Sequence, residues 1–145
     1  MIDNFLIINC IGKDDRLGLR INKDFFVHIF ENKNKKDENF VSIIFDFLNK
    51  HNVQLNENFS VIVNQGPGSF SGIRISLAVA KGLEISKNVQ LYGFKNSDLR
   101  KFDLENIEKM LKRNLTEKKL NAKQRRFANF WIILEKEQMF KILIL

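Results

Sequence analysis

The residues best suited to chemistry in this sequence lie between Val63 and Leu83, in the stretch VNQGPGSFSGIRISLAVAKGL. Glycines in such a loop permit positive φ angles and close approach of the backbone to a ligand. The backbone N–H groups at the start of the helix-like run that follows are suited to binding an anion such as phosphate. The candidate anion-binding residues are Gly66, Gly68, Ser69 and Ser71, and either serine is a suitable helix cap.

Three well-defined glycine motifs each fail here at one position. A P-loop needs Lys after its last glycine, but Ile73 follows Gly72. The dinucleotide fingerprint needs a third glycine where Ser71 stands, and a nucleophile elbow needs Ser where Phe70 stands. The loop alone therefore predicts no catalytic residue. A small nucleotide-binding phosphotransferase or ATPase that uses this loop stays open as the alternative function.

The run after the loop has small residues on one face of a predicted helix. Gly72, Ser76 and Ala80 recur every four positions, and apolar Ile73 and Leu77 adjoin them. Small residues let another element approach closely. The pattern therefore predicts either packing on the protein's own sheet or contact with a helix of a second subunit.

Arg74 lies in the first turn of the same helix, where the helix dipole disfavours a cation by some tenths of a kcal/mol. A phosphate or an acidic group on a partner would explain a cation at this position. The alternative is an exposed arginine whose aliphatic part packs on Phe70.

The remaining candidate residues point to structure more than to chemistry. Cys10 is the one cysteine, which excludes an internal disulfide, and it is predicted to be a buried, inert thiol. His28 and His51 lack metal-ligand spacing, so no metal site is predicted. Asp14 and Asp15 are typical of a hairpin turn.

The elements that must position the loop follow from hydrophobic periodicity. The predicted strands are residues 5–11, 17–21, 25–30, 59–63 and 89–94. Two predicted helices are residues 40–49 and 71–86. A third helix is marked by Leu104, Ile107, Leu111 and Leu115, with Asp103 as its cap. Right-handed crossovers make strands 1, 4 and 5 parallel. The fold class is therefore α/β, a mixed five-stranded sheet of order 3-2-1-4-5 with helices on its faces, and ligands are expected where the strand order reverses.

The length of 145 residues, 44% of them hydrophobic, indicates one soluble domain. We assign residues 1–120 to this domain and leave residues 121–145 unassigned. A hairpin and a helix are the alternatives for residues 127–145. No apolar run reaches the roughly 20 residues that span a bilayer, so no membrane contact is predicted. The acidic start does not resemble a secretory signal, which makes the cytoplasm the expected location.

The net charge of +7 is concentrated late in the chain, because residues 100–126 carry 10 Lys or Arg and 4 Asp or Glu. A solvated basic face is one interpretation. Contact with RNA or with an acidic partner is the other, since clustered cations displace counterions from phosphates.

Residues 64–83, NQGPGSFSGIRISLAVAKGL, resemble the signature G-P-G-S-F-T-G-[IV]-R-x-G-L-x-x-A-K-G-L of the bacterial TsaB family. This family is the dimerization subunit of the machinery that makes threonylcarbamoyladenosine in tRNA. The looser likeness extends over roughly residues 5–115, and residues 121–145 match nothing in the family.

The resemblance implies the fold shared by actin, sugar kinases and heat-shock ATPases. It also implies a catalytically silent subunit that activates a TsaD-type enzyme and, with it, recruits a TsaE-type ATPase. Such a subunit contacts tRNA only through the complex. It needs no cofactor of its own, since ATP is used by other subunits. A homodimer is expected to be possible when the partner is absent. The implied partner interface consists of Phe40, Ile44, Phe47, Phe70, Gly72, Ile73, Arg74, Ser76, Leu77 and Ala80.

Two departures from the catalytic relatives support a non-catalytic role. The resemblance places Asn9 where the nucleotide-binding fold usually has Asp, which weakens binding of Mg²⁺ and nucleotide. The paired metal-binding histidines of TsaD-type enzymes have no counterpart in His28 and His51.

Overall fold

A computed structural model describes residues 2–30 and 36–114. Eight main elements follow one another along the chain. They are β1 (Asn4–Asn9), β2 (Arg16–Ile21), β3 (Asp24–Ile29), α1 (Lys36–Lys50), β4 (Phe59–Asn64), α2 (Phe70–Lys87), β5 (Gln90–Phe94) and α3 (Leu104–Asn114), with a 3-10 turn at Asn96–Asp98 before α3. The predicted tail of residues 121–145 lies outside the described residues.

The five strands form one sheet of order β3-β2-β1-β4-β5, which confirms the predicted topology. β1, β4 and β5 are parallel, and β1, β2 and β3 are antiparallel neighbours. A two-residue turn joins β2 to β3, and its residues Asn22 and Lys23 have φ of 50° and 74°. Positive φ at both central positions matches the right-handed strand twist, so this turn fixes the register of the hairpin.

The helix α1 begins earlier than the pattern predicts, at Lys36 and not at Phe40. The residues before Phe40 fall outside the predicted helix because they lack apolar spacing. Lys and Glu are nevertheless good helix formers, and acidic residues in a first turn are favoured by the helix dipole. Polar residues at the start of a helix are therefore easily taken for a loop.

Each face of the sheet has its own hydrophobic core. Leu6 and Ile8 of β1 face α1 and α2, whereas Phe5 and Ile7 face α3. Burying each such side chain contributes roughly 1.5–3 kcal/mol, so both helix layers are held mainly by apolar packing. The parallel strands are covered on both sides, which explains why all six residues of β4 are buried.

The helix α3 starts at the predicted cap. The Asp103 carboxylate accepts hydrogen bonds of 2.8 Å from the backbone N–H and the side-chain amide of Asn106, which lower the pKa of Asp103. Within residues 2–30 and 36–114, no helix is both long enough and apolar enough to cross a membrane.

Candidate functional site

The glycine loop connects β4 to α2 and packs against the turn that follows β1. The backbone N–H of Ser69 donates to the carbonyl of Ile11 at 2.5 Å. A Cβ at Gly68 would lie 2.6 Å from the same carbonyl oxygen, and a Cβ at Gly12 would lie 2.7 Å from Cβ of Ser69. The two turns are therefore too close for side chains at these glycines, and loop-to-loop contact explains them without a ligand.

Three asparagines at the carboxyl ends of the parallel strands form one hydrogen-bonded group, which we call the amide cluster: Asn9, Asn64 and Asn96. Nδ2 of Asn64 donates to Oδ1 of Asn9 at 2.6 Å and to Oδ1 of Asn96 at 2.7 Å. The cluster also fixes the loop, since Gly66 N–H donates to Oδ1 of Asn64 at 2.8 Å and Nδ2 of Asn96 donates to the Pro67 carbonyl at 2.5 Å.

The amide cluster lies where the strand order reverses, the place at which such sheets bind ligands. Sequence reasoning identified Asn9 but missed Asn64 and Asn96. The signal that could have identified Asn64 is an amide side chain at the last position of β4. Mg²⁺ is usually held by carboxylates and phosphate oxygens, and here every side chain of the cluster is a neutral amide. The chemistry of these donors therefore does not favour a metal–nucleotide complex.

Of the two candidate caps, Ser69 caps α2 and Ser71 does not. Oγ of Ser69 accepts from the backbone N–H of Gly72 at 3.5 Å, and the Ser71 hydroxyl lies 3.3 Å from that of Ser69. The predicted anion-binding residues Gly66, Gly68, Ser69 and Ser71 do lie together in one turn. Anion binding by this turn stays a prediction.

Arg74 adopts the arrangement in which its side chain contacts Phe70. Its guanidinium carbon lies 5.0 Å from the centroid of the Phe70 ring, a cation–π contact. Phe70 is itself 57% exposed, so the pair stands at the surface of α2.

The predicted partner interface stays a prediction, and six of its ten residues are buried inside the protomer: Phe40, Ile44, Phe47, Gly72, Ser76 and Ala80. The small residues of α2 face the sheet, and Oγ of Ser76 donates to the Gly72 carbonyl at 2.7 Å. Close approach of this stripe serves internal packing, because the helix lies on β4 and β5. Phe70 is exposed, and Ile73, Arg74 and Leu77 are half-buried.

Other apolar side chains stand on the outer surface of the same two helices. Val41 and Phe45 of α1 are 49% and 40% exposed, and Ile85 of α2 is 66% exposed. We call Val41, Phe45, Phe70 and Ile85 the outer helix surface. Sequence reasoning missed three of them because periodicity alone does not show which apolar flank of a helix faces the sheet.

The two histidines lie around Phe47, beside an open pocket of about 520 Å³ between β3 and α1. The His51 ring stacks on Phe26 with centroids 4.0 Å apart, and both histidine rings contact Phe47, at 5.3 Å from His51 and 5.9 Å from His28. Among the described residues, no three His, Cys, Asp or Glu side chains cluster as a metal site.

The predicted burial of Cys10 and the predicted turn role of Asp15 are confirmed. Cys10 is 1% exposed within the core. The Asp15 carboxylate is buried and accepts from the backbone N–H of Gly12 at 2.8 Å, so it closes the turn after β1.

Comparison with known proteins connects this geometry to one family. Residues 32–98 match the family model for TsaD, tRNA N6-adenosine threonylcarbamoyltransferase. A segment of 47 residues is 47% identical to the tRNA threonylcarbamoyladenosine biosynthesis protein TsaB of Buchnera aphidicola subsp. Baizongia pistaciae (strain Bp). The chain is therefore similar to proteins of the TsaB/YeaZ family. The matched segment covers 32% of this chain and 21% of that TsaB protein.

Two solved structures share the fold of this chain. One is YeaZ from Pseudomonas aeruginosa, and the other is a protein with similarity to the peptidase YeaZ from the same organism. Each superposes with a TM-score of 0.57 at 18% sequence identity over 64% of this chain, which covers 43% to 44% of the solved chains. The fold is therefore the actin-like lobe that the signature implied, and the chain matches less than half of these relatives' length.

Proposed function

We propose that this chain is a non-catalytic subunit in the biosynthesis of threonylcarbamoyladenosine in tRNA, and that it pairs with and activates a TsaD-type catalytic subunit. The observation that carries the proposal is the amide cluster. Asn64 uses both hydrogens of Nδ2 and its oxygen on neighbouring protein groups. At the place where a catalytic relative would hold its nucleotide, the side chain of Asn64 is here used to fix the loop.

The pairing surface that we propose is the outer helix surface. Val41 and Phe45 lie on the flank of α1 away from the pocket with β3, because Ile43 and Lys50 of the same helix line that pocket. This places them toward α2, which packs beside α1. Exposed aromatic and aliphatic side chains on adjoining helices are typical of the centre of a protein interface.

Arg74 adds a charge to this surface. Its guanidinium lies over the exposed ring of Phe70, which holds a cation at the start of α2. Aromatic and arginine side chains are frequent interface anchors, so the Phe70–Arg74 pair suits contact with a partner. In the absence of the partner, the same surface is expected to pair with a second copy of the chain.

In the proposed assembly the pair recruits a TsaE-type ATPase, which supplies the ATP-dependent step. This chain then needs no cofactor of its own, and tRNA is held by the complex. The assembly would work in the cytoplasm, where tRNA is modified.

Co-expression with a TsaD-type subunit tests the pairing surface. We expect the double variant Phe45→Glu, Ile85→Glu to co-purify at least about tenfold less than the unmodified chain, since burying even one unpaired charge in an interface costs more than 1.4 kcal/mol. The readout is the molar ratio of the two subunits after affinity capture. The matched control is Ile29→Glu, an apolar residue that is 55% exposed on β3, outside the two helices.

Equal capture of the double variant and of the unmodified chain would contradict the outer helix surface as the site of pairing. Loss of capture in the Ile29→Glu control as well would mean that added charge alone prevents association. Failure of the unmodified chain to co-purify would reject the proposed function itself.

A further inference from the structure

The strand β3 forms one edge of the sheet, and within the described residues no strand pairs with its outer side. The Phe30 N–H donates to the Asp15 carbonyl at 3.1 Å, which continues the register between β2 and β3. In an antiparallel pair only every second residue bonds to the neighbouring strand, so Phe26 and His28 also bond to β2. The backbone groups of the residues between them point outward: Phe25, Val27 and Ile29.

This edge lacks the residues that usually keep an edge strand from pairing. Edge strands are commonly protected by lysine, proline or a bulge. Within β3 the one Asp or Lys is Asp24, at the first position, and there is no proline. Val27 and Ile29 are also 43% and 55% exposed. The outer side of β3 is therefore a template on which a further strand can form.

Both faces of the sheet are apolar along this edge. Val27 and Ile29 lie on the α3 face, because they follow Phe25, which packs against the core beneath α3, at the strand period of two. On the other face, the rings of Phe26 and Phe47 line the open pocket of about 520 Å³ between β3 and α1. A strand that fits this edge would carry aliphatic side chains on one face and a large aromatic side chain on the other.

The sequence after α3 contains one segment of this kind. Residues 130–134 read FWIIL, a run of aromatic and aliphatic residues in which β-branched isoleucine is frequent, and such a composition favours a strand. In an extended segment, Trp131 lies on one face and Ile132 and Leu134 on the other. The second apolar run, residues 139–145, has Lys141 within it and no tryptophan. Residues 130–134 therefore match the edge better.

The segment is also close enough to reach β3. Residues 115–129 follow α3 and span at most roughly 50 Å when extended. The sheet is only about 19 Å wide from β5 to β3, since adjacent strands lie about 4.8 Å apart. In addition, α3 lies over the face on which Val27 and Ile29 are exposed.

We propose that residues 130–134 pair with the outer side of β3 as a sixth strand of the sheet, with the indole of Trp131 in the pocket between β3 and α1. The outward backbone groups of β3 then gain partners. Asp46 lines the same pocket, and its carboxylate is a suitable acceptor for the indole N–H. The added strand covers the edge and so prevents two copies of the chain from pairing through it.

Amide hydrogen exchange tests the pairing, and the proposal does not depend on the subunit role because the full 145-residue chain is used alone. With a free edge, the amides of Phe26 and His28 would be protected while those of Val27 and Ile29 exchange rapidly. We expect the amides of Val27 and Ile29 to be protected as well, at least about tenfold relative to the unstructured rate. The rates are measured by NMR on ¹⁵N-labelled protein at two protein concentrations.

Trp131 identifies the segment that covers the edge, because it is the only tryptophan in the sequence. Its emission should be blue-shifted and several-fold less quenched by acrylamide than in the urea-unfolded chain. Trp131→Ser should lower the protection of the Val27 and Ile29 amides at least about tenfold, since burial of a large aromatic side chain contributes more than about 1.4 kcal/mol. Phe140→Ser, which changes an aromatic residue outside the proposed strand, is the matched control and should alter that protection by less than about threefold.

Three results would overturn the proposal. Rapid exchange of Val27 and Ile29 beside protected Phe26 and His28 would mean that the edge is free. Protection that falls on dilution, with Trp131 fully open to acrylamide, would assign the edge to a second copy of the chain. Equal protection in Trp131→Ser and in the unmodified chain would mean that another segment covers β3.

Discussion

The glycine loop and the outer helix surface meet at the start of α2, yet they differ in how far their groups are used within the protein. In the loop, the backbone N–H of Ser69 and the amides of Asn64 and Asn96 are bonded to protein groups. On the outer helix surface, Phe70 and Ile85 are more than half exposed. The loop therefore acts as a rigid support, and the groups left to interact with another protein are on the helix.

The two sides of α2 make the same contrast at shorter range. Gly72, Ser76 and Ala80 are buried against the sheet, whereas Phe70 and Ile85 face outward. A small-residue stripe and an exposed apolar stripe therefore lie on opposite sides of one helix. The first fixes the helix on its sheet, and the second is the side that can meet a subunit.

The largest effect is expected from filling the buried side of α2. Ser76 is 1% exposed and bonded to the Gly72 carbonyl, so Ser76→Trp has no space for the indole. Overpacking a core costs about 1–3 kcal/mol and more for large insertions, and we expect loss of more than about 4 kcal/mol or failure to fold. Urea unfolding followed by circular dichroism measures this.

Ile85→Trp is the matched control for that experiment, because it adds the same ring to a side chain that is 66% exposed. Its free energy of unfolding should change by less than about 0.5 kcal/mol. A well-folded Ser76→Trp variant of unchanged stability would show that the small-residue stripe is accessible, and would restore it as a candidate for pairing.

The strand order, the parallel and antiparallel pairs and the position of the loop could be predicted from the sequence, because they depend on periodicity and on turn residues. The burial of Ser76 and Ala80 could not, since a small residue suits a sheet and a foreign helix equally well. Asn64 and Asn96 were missed for another reason. They are 32 residues apart in the chain and meet only because β4 and β5 are neighbouring parallel strands.

The next effect in size is expected from reversing the donor at the centre of the amide cluster. Asn64 is 3% exposed, and Asn64→Asp replaces its two donated hydrogen bonds by contacts between oxygens. With roughly 1–3 kcal/mol for each buried group left unsatisfied, we expect a loss of about 3 kcal/mol in the free energy of unfolding. The measurement is the midpoint of urea unfolding at neutral pH.

Asn58→Asp makes the same chemical change at an exposed position before β4 and should alter stability by less than about 0.5 kcal/mol. Equal stability of Asn64→Asp and of the unmodified chain would mean that the cluster does not hold the loop. The contrast between a loop whose groups are bonded within the protein and a helix surface that is exposed would then no longer hold for the loop.

The smallest effect compares two glycines, one in each region. A Cβ at Gly68 would lie 2.6 Å from the Ile11 carbonyl oxygen, whereas a Cβ at Gly82 on α2 meets nothing within 4 Å. Gly68→Ala should therefore destabilise the protein by about 1–3 kcal/mol, because loop and turn must separate. Gly82→Ala should stabilise it by about 0.5–1 kcal/mol, since alanine is the better helix former. Thermal unfolding of both variants gives the two signs directly. A Gly68→Ala variant as stable as the unmodified chain would show that the close contact between the loop and the β1 turn is not what requires glycine at position 68.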